Sequence, residues 1–346
     1  MSKFRLILYP FAVVYDGVTR IKNFLYNRNI LHSNSFDIPL IVIGNLAIGG
    51  TGKTPHTEYI ARLLRSSFRI AVLSRGYGRK TSGYFLATPE TDSHTIGDEP
   101  LQIYNNVENI DVAVCEDRSK GVEKLQTEIQ PEIVILDDAF QHRKIQGSFY
   151  ILLSTYDNLF YKDFVLPAGN LRETAQNKER ANIIVVTKCP DKISSTEHKQ
   201  IINRIQPSKD QKVFFSKIQY QQPHRFHGSI EWNQHLKILL VTGIVNPQPL
   251  KNHLQQLGNN VKTLSFKDHH SYASSDIETI YAQLQQLGEN AVVVTTSKDR
   301  VKLQPLLHTH LLKEKITAYE ISITIGFLFD QENEFKKTIL EHVRTI

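Results

Sequence analysis

A chain of 346 residues, 40% apolar and 22% charged, is long enough for two globular domains and excludes an intrinsically disordered protein. Its two isolated cysteines, Cys115 and Cys189, exclude a disulfide framework and a Cys-x-x-Cys metal site, and their apolar surroundings predict buried free thiols. The net charge of +6 is concentrated at the start, where residues 1–31 hold Lys3, Arg5, Arg20, Lys22 and Arg28 against Asp16 alone. The remainder is nearly balanced, and with no aromatic-interleaved basic stripe it argues against nucleic acid as a partner.

In chain order, the first segment combines an uncharged run, Leu6–Tyr15, with a continuing apolar pattern at Val18, Ile21, Phe24, Leu25 and Tyr26. The run is too short to span a bilayer, and no small-residue cleavage site follows it. It predicts an amphipathic helical segment over residues 1–35, suited to a membrane surface or to packing on the core. Short apolar runs then alternate with mixed segments, as βα units do. Strands are predicted at 40–43, 70–73, 111–114, 133–136, 149–153 and 183–187, with helices at 56–65 and 120–129. Continuous apolar strands of this kind suit a parallel sheet covered on both faces. The polar stretch 219–227 reads as a linker. A smaller series at 237–241, 261–266, 291–295 and 318–323 predicts a second α/β unit. The expected organisation is a helical segment (1–35), a larger α/β/α domain (36–225) and a smaller α/β/α domain (226–346).

The strongest local signal is the run from Leu40 to Thr54, LIVIGNLAIGGTGKT, an apolar strand entering a glycine-rich turn. It fits the phosphate-binding P-loop from Gly52-Lys53-Thr54 onward, with Ala47 where the pattern begins with glycine. Gly49, Gly50, Thr51 and Gly52 would turn the backbone N–H groups toward phosphate oxygens. Lys53 would reach the β- and γ-phosphates of ATP, and the Thr54 hydroxyl would ligate Mg²⁺. Downstream, Glu132–Asp138 is an apolar strand ending in two acids, a Walker B arrangement. Adjacent side chains at a strand end diverge, so Asp137 and Asp138 are both candidates for the metal. A GTPase or nucleotide-switch ATPase is the alternative. It is disfavoured because Thr187-Lys-Cys-Pro-Asp191 has one residue too many for the guanine-reading pattern.

The P-loop Val42–Pro55 resembles that of the tetraacyldisaccharide 4'-kinase (lipid A 4'-kinase) family. The resemblance extends through Ser74-Arg-Gly-Tyr-Gly-Arg79, Gly97-Asp-Glu-Pro100, Asp137-Asp-Ala-Phe-Gln-His142 and Pro167-Ala-Gly-Asn-Leu-Arg-Glu173. Thr242-Gly-Ile, Phe266-Lys-Asp-His-His270 and Thr296-Ser-Lys-Asp299 complete the series in family order. Alanine at 139 replaces the glycine common in the family. The resemblance implies two α/β/α domains with the active site in the cleft between them. It also implies transfer of the γ-phosphoryl of ATP to the 4'-hydroxyl of a tetraacyldisaccharide 1-phosphate, giving lipid IVA for lipid A. The place implied is the cytoplasmic face of the bacterial inner membrane, with a lipid substrate and no protein partner.

Residue by residue, the resemblance makes Asp98 the carboxylate that helps deprotonate the sugar hydroxyl, where its local sequence alone reads as a helix cap. His269 becomes its partner across the cleft, and Lys53 joins them as a catalytic group. Arg75, Arg118 and Arg172 are expected at phosphates, and Tyr77 and Asn170 at the sugar. Glu173 is expected at the Mg²⁺ shell beside Thr54, Asp137 and Asp138. Lys298 and Asp299 match the family without a role to assign, and a structural ion pair suits them equally.

Overall fold

The computed structural model describes residues 3–268 and 270–345. His269 therefore lies outside the described residues. A 3₁₀ turn, Lys3–Leu8, leads into a 19-residue helix, Tyr9–Asn27, with Pro10 in its first turn, where a missing N–H costs no hydrogen bond.

Eight strands follow: β1 (Leu40–Asn45), β2 (Ile70–Ser74), β3 (Phe85–Leu86), β4 (Asp111–Val114), β5 (Ile133–Asp137), β6 (Phe149–Thr155), β7 (Ile183–Thr187) and β8 (Lys212–Tyr220). β9 (His224–His227), β10 (Lys237–Thr242), β11 (Asn260–Ser265), β12 (Ala291–Thr296) and β13 (Ala318–Ile321) form a second sheet, and β14 (Ile323–Phe327) returns to the first. The large sheet runs β14-β8-β7-β6-β1-β5-β2-β4-β3, and the small one runs β11-β10-β12-β13-β9. β1 lies between β5 and β6, parallel to both, so the P-loop and the Walker B acids leave the sheet side by side.

Every residue of β1, β2, β5 and β7 is buried. Alternate side chains serve opposite faces. Ile41, Ile43, Ile133 and Ile135 meet Phe335 and Ile339 on one side, while Leu40, Val42, Val134 and Leu136 meet Val122 and Leu125 on the other. Each such side chain contributes about 1.5–3 kcal/mol on leaving water, which makes this the rigid platform of the site. Cys115 and Cys189 are free and buried.

The chain's last segment departs from the sequence expectation. β14 pairs antiparallel with β8, Ile325 opposite Ile218, and the helix Glu332–Arg344 puts Phe335, Ile339 and Val343 into the large core. The small sheet ends at Ile321, so residues 323–344 do not extend it to 346. The stretch 219–227 holds the end of β8 and all of β9 rather than a bare linker. A five-residue strand carries no information about which of two sheets offers it an edge. The two crossings between the units meet, since the Gln221 N–H donates to the Ser322 carbonyl at 2.9 Å.

Candidate active site

The glycine-rich turn follows β1 and opens the helix Lys53–Leu64. Gly52 stands before that helix with φ at +86°, a left-handed conformation strained for any side chain. Below it sits His56, 2% exposed, with Nδ1 2.7 Å from the Gly52 carbonyl and Nε2 3.0 Å from Ser216 Oγ. Burial lowers this imidazole to about 4, so it is a neutral strut. The end of β7 is tied to the loop as well, because the Thr187 hydroxyl donates to the Thr51 carbonyl at 2.8 Å. The loop's outer side runs along residues 167–173. Ile48 N–H donates to the Asn170 carbonyl (2.8 Å) and Arg172 N–H to the Leu46 carbonyl (2.6 Å).

The two acids after β5 diverge. Asp137 ends the strand, 1% exposed, and accepts from Thr57 Oγ1 (3.0 Å) and Ser74 Oγ (3.3 Å). Asp138 takes a left-handed φ of +48°, which swings its carboxylate to Lys53 Nζ (3.6 Å) and Arg172 Nη1 (3.2 Å). Burial first, then the charges of Glu99 and Asp138, push Asp137 up to about 6. Three carboxylates thus converge where Lys53 counts as the main opposing charge. Glu99 is the member that the sequence reading did not single out, although it stands inside the Gly97–Pro100 block. Among the described residues no three His, Cys, Asp or Glu side chains form a metal cluster on their own. Thr54, Asp137 and Asp138 are hard oxygen donors in a carboxylate-rich pocket, a set that fits Mg²⁺ sharing its shell with phosphate oxygens.

The blocks 74–79 and 97–100 meet through a glycine. A Cβ at Gly97, whose φ is +92°, would come within 2.8 Å of the Tyr77 carbonyl. Asp98 is the first residue of the helix Asp98–Asn106, one place inside the expected cap position, which Gly97 takes. Its Oδ2 lies 3.0 Å from Lys302 Nζ on the helix Ser297–Thr309 of the second unit. Ile96 and Leu101 pack around Val301 beside this pair, so the two units touch where Asp98 stands. Arg75 and Tyr77 are exposed on the loop after β2, Tyr77 by 76%.

Three expectations change. Arg118 is 2% exposed and donates to the carbonyls of Cys115 (2.8 Å) and Asp137 (3.3 Å), so it braces strand ends beneath the site instead of facing a ligand. Burial lowers its guanidinium to about 10. Asn170 spends its side chain inside the fold, accepting from Arg5 Nη1 (2.8 Å) and donating to Asp163 Oδ2 (3.0 Å), which leaves its carbonyl as the group that shapes the P-loop. Glu173 is 6% exposed and paired with Arg180, whose guanidinium also stacks 4.4 Å from the Phe140 ring, so a structural ion pair holds its carboxylate. In each case the motif fixes the residue but not the direction in which its side chain turns, since Arg118 and Glu173 are claimed by groups 3 to 19 residues away and Asn170 by Arg5, 165 residues away. Lys298 and Asp299 resolve as well. Lys298 pairs with Asp268 at 2.8 Å, and Asp299 is wholly buried.

The 3₁₀ turn and the first helix together present Ile7, Phe11, Val14, Val18 and Ile21 to solvent, each 63–72% exposed and three or four residues apart. The helix's inner side is Ala12, Asn23 and Tyr26. Among the described residues no helix is long and apolar enough to cross a membrane.

Comparison with known proteins agrees with this geometry. The family model described as tetraacyldisaccharide-1-P 4'-kinase (LpxK) matches residues 4–344. Curated proteins named tetraacyldisaccharide 4'-kinase are similar along nearly their whole length. That of Flavobacterium johnsoniae is 40% identical, covering 99% of this chain and 98% of the relative. That of Bacteroides thetaiotaomicron is also 40% identical, covering 97% and 93%. Among solved structures, LpxK from Aquifex aeolicus in complex with ATP superposes with a TM-score of 0.75 at 26% identity, covering 98% of this chain and 99% of that one. With its P-loop and Walker B acids side by side and a family match from end to end, the chain belongs to the tetraacyldisaccharide-1-P 4'-kinase family.

Proposed function

We propose that this protein transfers the γ-phosphoryl of ATP to the 4'-hydroxyl of a tetraacyldisaccharide 1-phosphate, forming lipid IVA in lipid A synthesis. The observation that supports the reading is that the P-loop and Asp137 leave adjacent parallel strands, with Lys53 drawn to Asp138 and with Asp98 at the contact between the units. In this reaction the 4'-oxygen forms a bond to Pγ as the β–γ bridging bond breaks, and ADP leaves. The hydroxyl proton goes to Asp98, with His269 as the partner that the family pattern supplies. P-loop amides and Lys53 bind the phosphates in place. Mg²⁺, held by Thr54, Asp137 and Asp138, would offset charge on the phosphate oxygens. Arg172 sits beside Asp138 and Lys53 to meet the transferring group, and Arg75 and Tyr77 line the approach from solvent. The test is transfer from γ-labelled ATP to tetraacyldisaccharide 1-phosphate in detergent micelles with Mg²⁺. A labelled lipid bisphosphate is expected, and its absence with folded protein overturns the reading.

The same reading places the first helix on a membrane surface, the cytoplasmic face of the inner membrane in the family's setting. Its support is the apolar row from Ile7 to Ile21, bordered by Arg20, Lys22 and Arg28. Deleting residues 1–31 should release the protein from sedimenting anionic vesicles. Undiminished sedimentation would contradict the assignment.

A further inference from the structure

We propose that Lys302 is a positioning residue for the phosphoryl transfer, holding the Asp98 carboxylate from across the cleft so that the proton acceptor is set only when the two units meet. The inference rests on the reading of Asp98 as that acceptor. Lys302 and Asp98 belong to different units, yet their 3.0 Å pair is well buried, with side-chain exposures of 7% and 14%. A buried ammonium of this kind is costly unless a carboxylate accepts it, so the pair forms a specific latch and not a surface contact.

The latch is rigidly mounted. Asp299, one turn earlier on the same helix, is fully buried and accepts from Thr242 Oγ1, the Gly243 N–H, Thr296 Oγ1 and Tyr272 Oη at 2.8–3.1 Å. That ties the start of the Lys302 helix to the ends of β10 and β12. The Tyr272 ring lies 5.8 Å from Lys302 Nζ and walls the ammonium on one side. Val301 fixes the neighbouring helix position against Ile96 and Leu101. With Asp299 already fourfold bonded, the charge of Lys302 is directed to Asp98. An acceptor works only within hydrogen-bond reach of its hydroxyl, and a displacement of about 1 Å costs about 100-fold in rate.

Kinetics of the full-length protein with MgATP and the lipid acceptor test this through Lys302→Met, Lys302→Arg, Asp98→Ala and the Asp98→Ala/Lys302→Met double variant. Lys302→Met should lower kcat by about 10- to 100-fold, with KM for ATP changed less than about threefold, because the P-loop is untouched. Lys302→Arg should recover part of the loss. The double variant should be no slower than Asp98→Ala alone, since the lysine acts through that carboxylate. Wild-type kcat in Lys302→Met, or a double variant slower by the product of the two single losses, overturns the proposal. An Asp98→Ala protein with wild-type kcat overturns the reading of Asp98 itself, a different pattern from an inactive Asp98→Ala beside an active Lys302→Met. Thermal unfolding of each variant separates these outcomes from misfolding. If Lys302→Met does not fold, Lys302→Gln, which removes the charge that holds Asp98 but leaves a polar side chain in the site, takes its place with the same expectations.

Discussion

Each unit of this protein buries one aspartate at the end of its parallel strands, and the two are treated in opposite ways. Asp299 in the smaller unit accepts four hydrogen bonds, three from side chains and one from the Gly243 amide. Asp137 in the larger unit has two hydroxyl donors for its carboxylate and two carboxylates nearby, and its proton is held up to about pH 6. Burial is nearly equal, 0% against 1% exposed, so depth does not separate them. The difference lies in satisfaction. A carboxylate with a complete set of donors is a structural rivet, whereas one crowded by like charge is poised for a cation that arrives with the substrate.

Exchanging function for stability at these two positions is the strongest way to break the comparison. Asp137→Asn should lower turnover by about 100- to 1,000-fold while thermal stability stays level or rises, because a crowded charge is removed. Asp299→Ala should do the reverse at the level of the fold, costing about 3 kcal/mol or more as buried donors lose their acceptor, measured by urea unfolding. If Asp137→Asn unfolds the protein and Asp299→Ala leaves it intact, the two assignments are reversed.

A pH titration sharpens the contrast. The Asp137 carboxyl has an ordinary value of 3.8 and a folded value of about 6. Between these, the unfolded chain has released a proton that the folded chain keeps, so rising pH removes stability. In metal-free buffer, wild type should lose roughly 2–3 kcal/mol relative to Asp137→Asn between pH 4 and 6. Parallel stability curves for the two proteins would show that the crowding is absent. The smallest effect expected is that of Tyr272→Phe, which deletes one of four donors to Asp299 and should cost about 1 kcal/mol. A loss as large as that of Asp299→Ala would mean that the tyrosine, not the network, carries the rivet.

The same contrast explains what the sequence disclosed. Asp137 was legible because its strand, its neighbour and an upstream P-loop occur in a fixed local order, and β1, β5 and β7 were legible because fully buried strands are written as unbroken apolar runs. Asp299 resisted assignment since its partners, Thr242, Gly243 and Tyr272, come from up to 57 residues away. Arg118, Asn170 and Glu173 match family positions, but such a match does not tell which way a side chain turns, and each of these serves the interior. Glu99 and Lys302 were missed because a charge on a helix looks alike whether it faces solvent or a cleft. β14 and the final helix were placed in the wrong unit, as sheet membership is decided by an available edge and not by the strand's own residues.

Titration calorimetry of ATP into the protein, with Mg²⁺ and with a chelator, tests most directly whether the crowded carboxylates of the larger unit await a cation. The expected result is ATP binding tighter by about tenfold or more with Mg²⁺ in the wild type, a gain of about 1.4 kcal/mol, and no Mg²⁺ dependence in Asp137→Asn. Equal ATP affinity with and without Mg²⁺ in the wild type would contradict it.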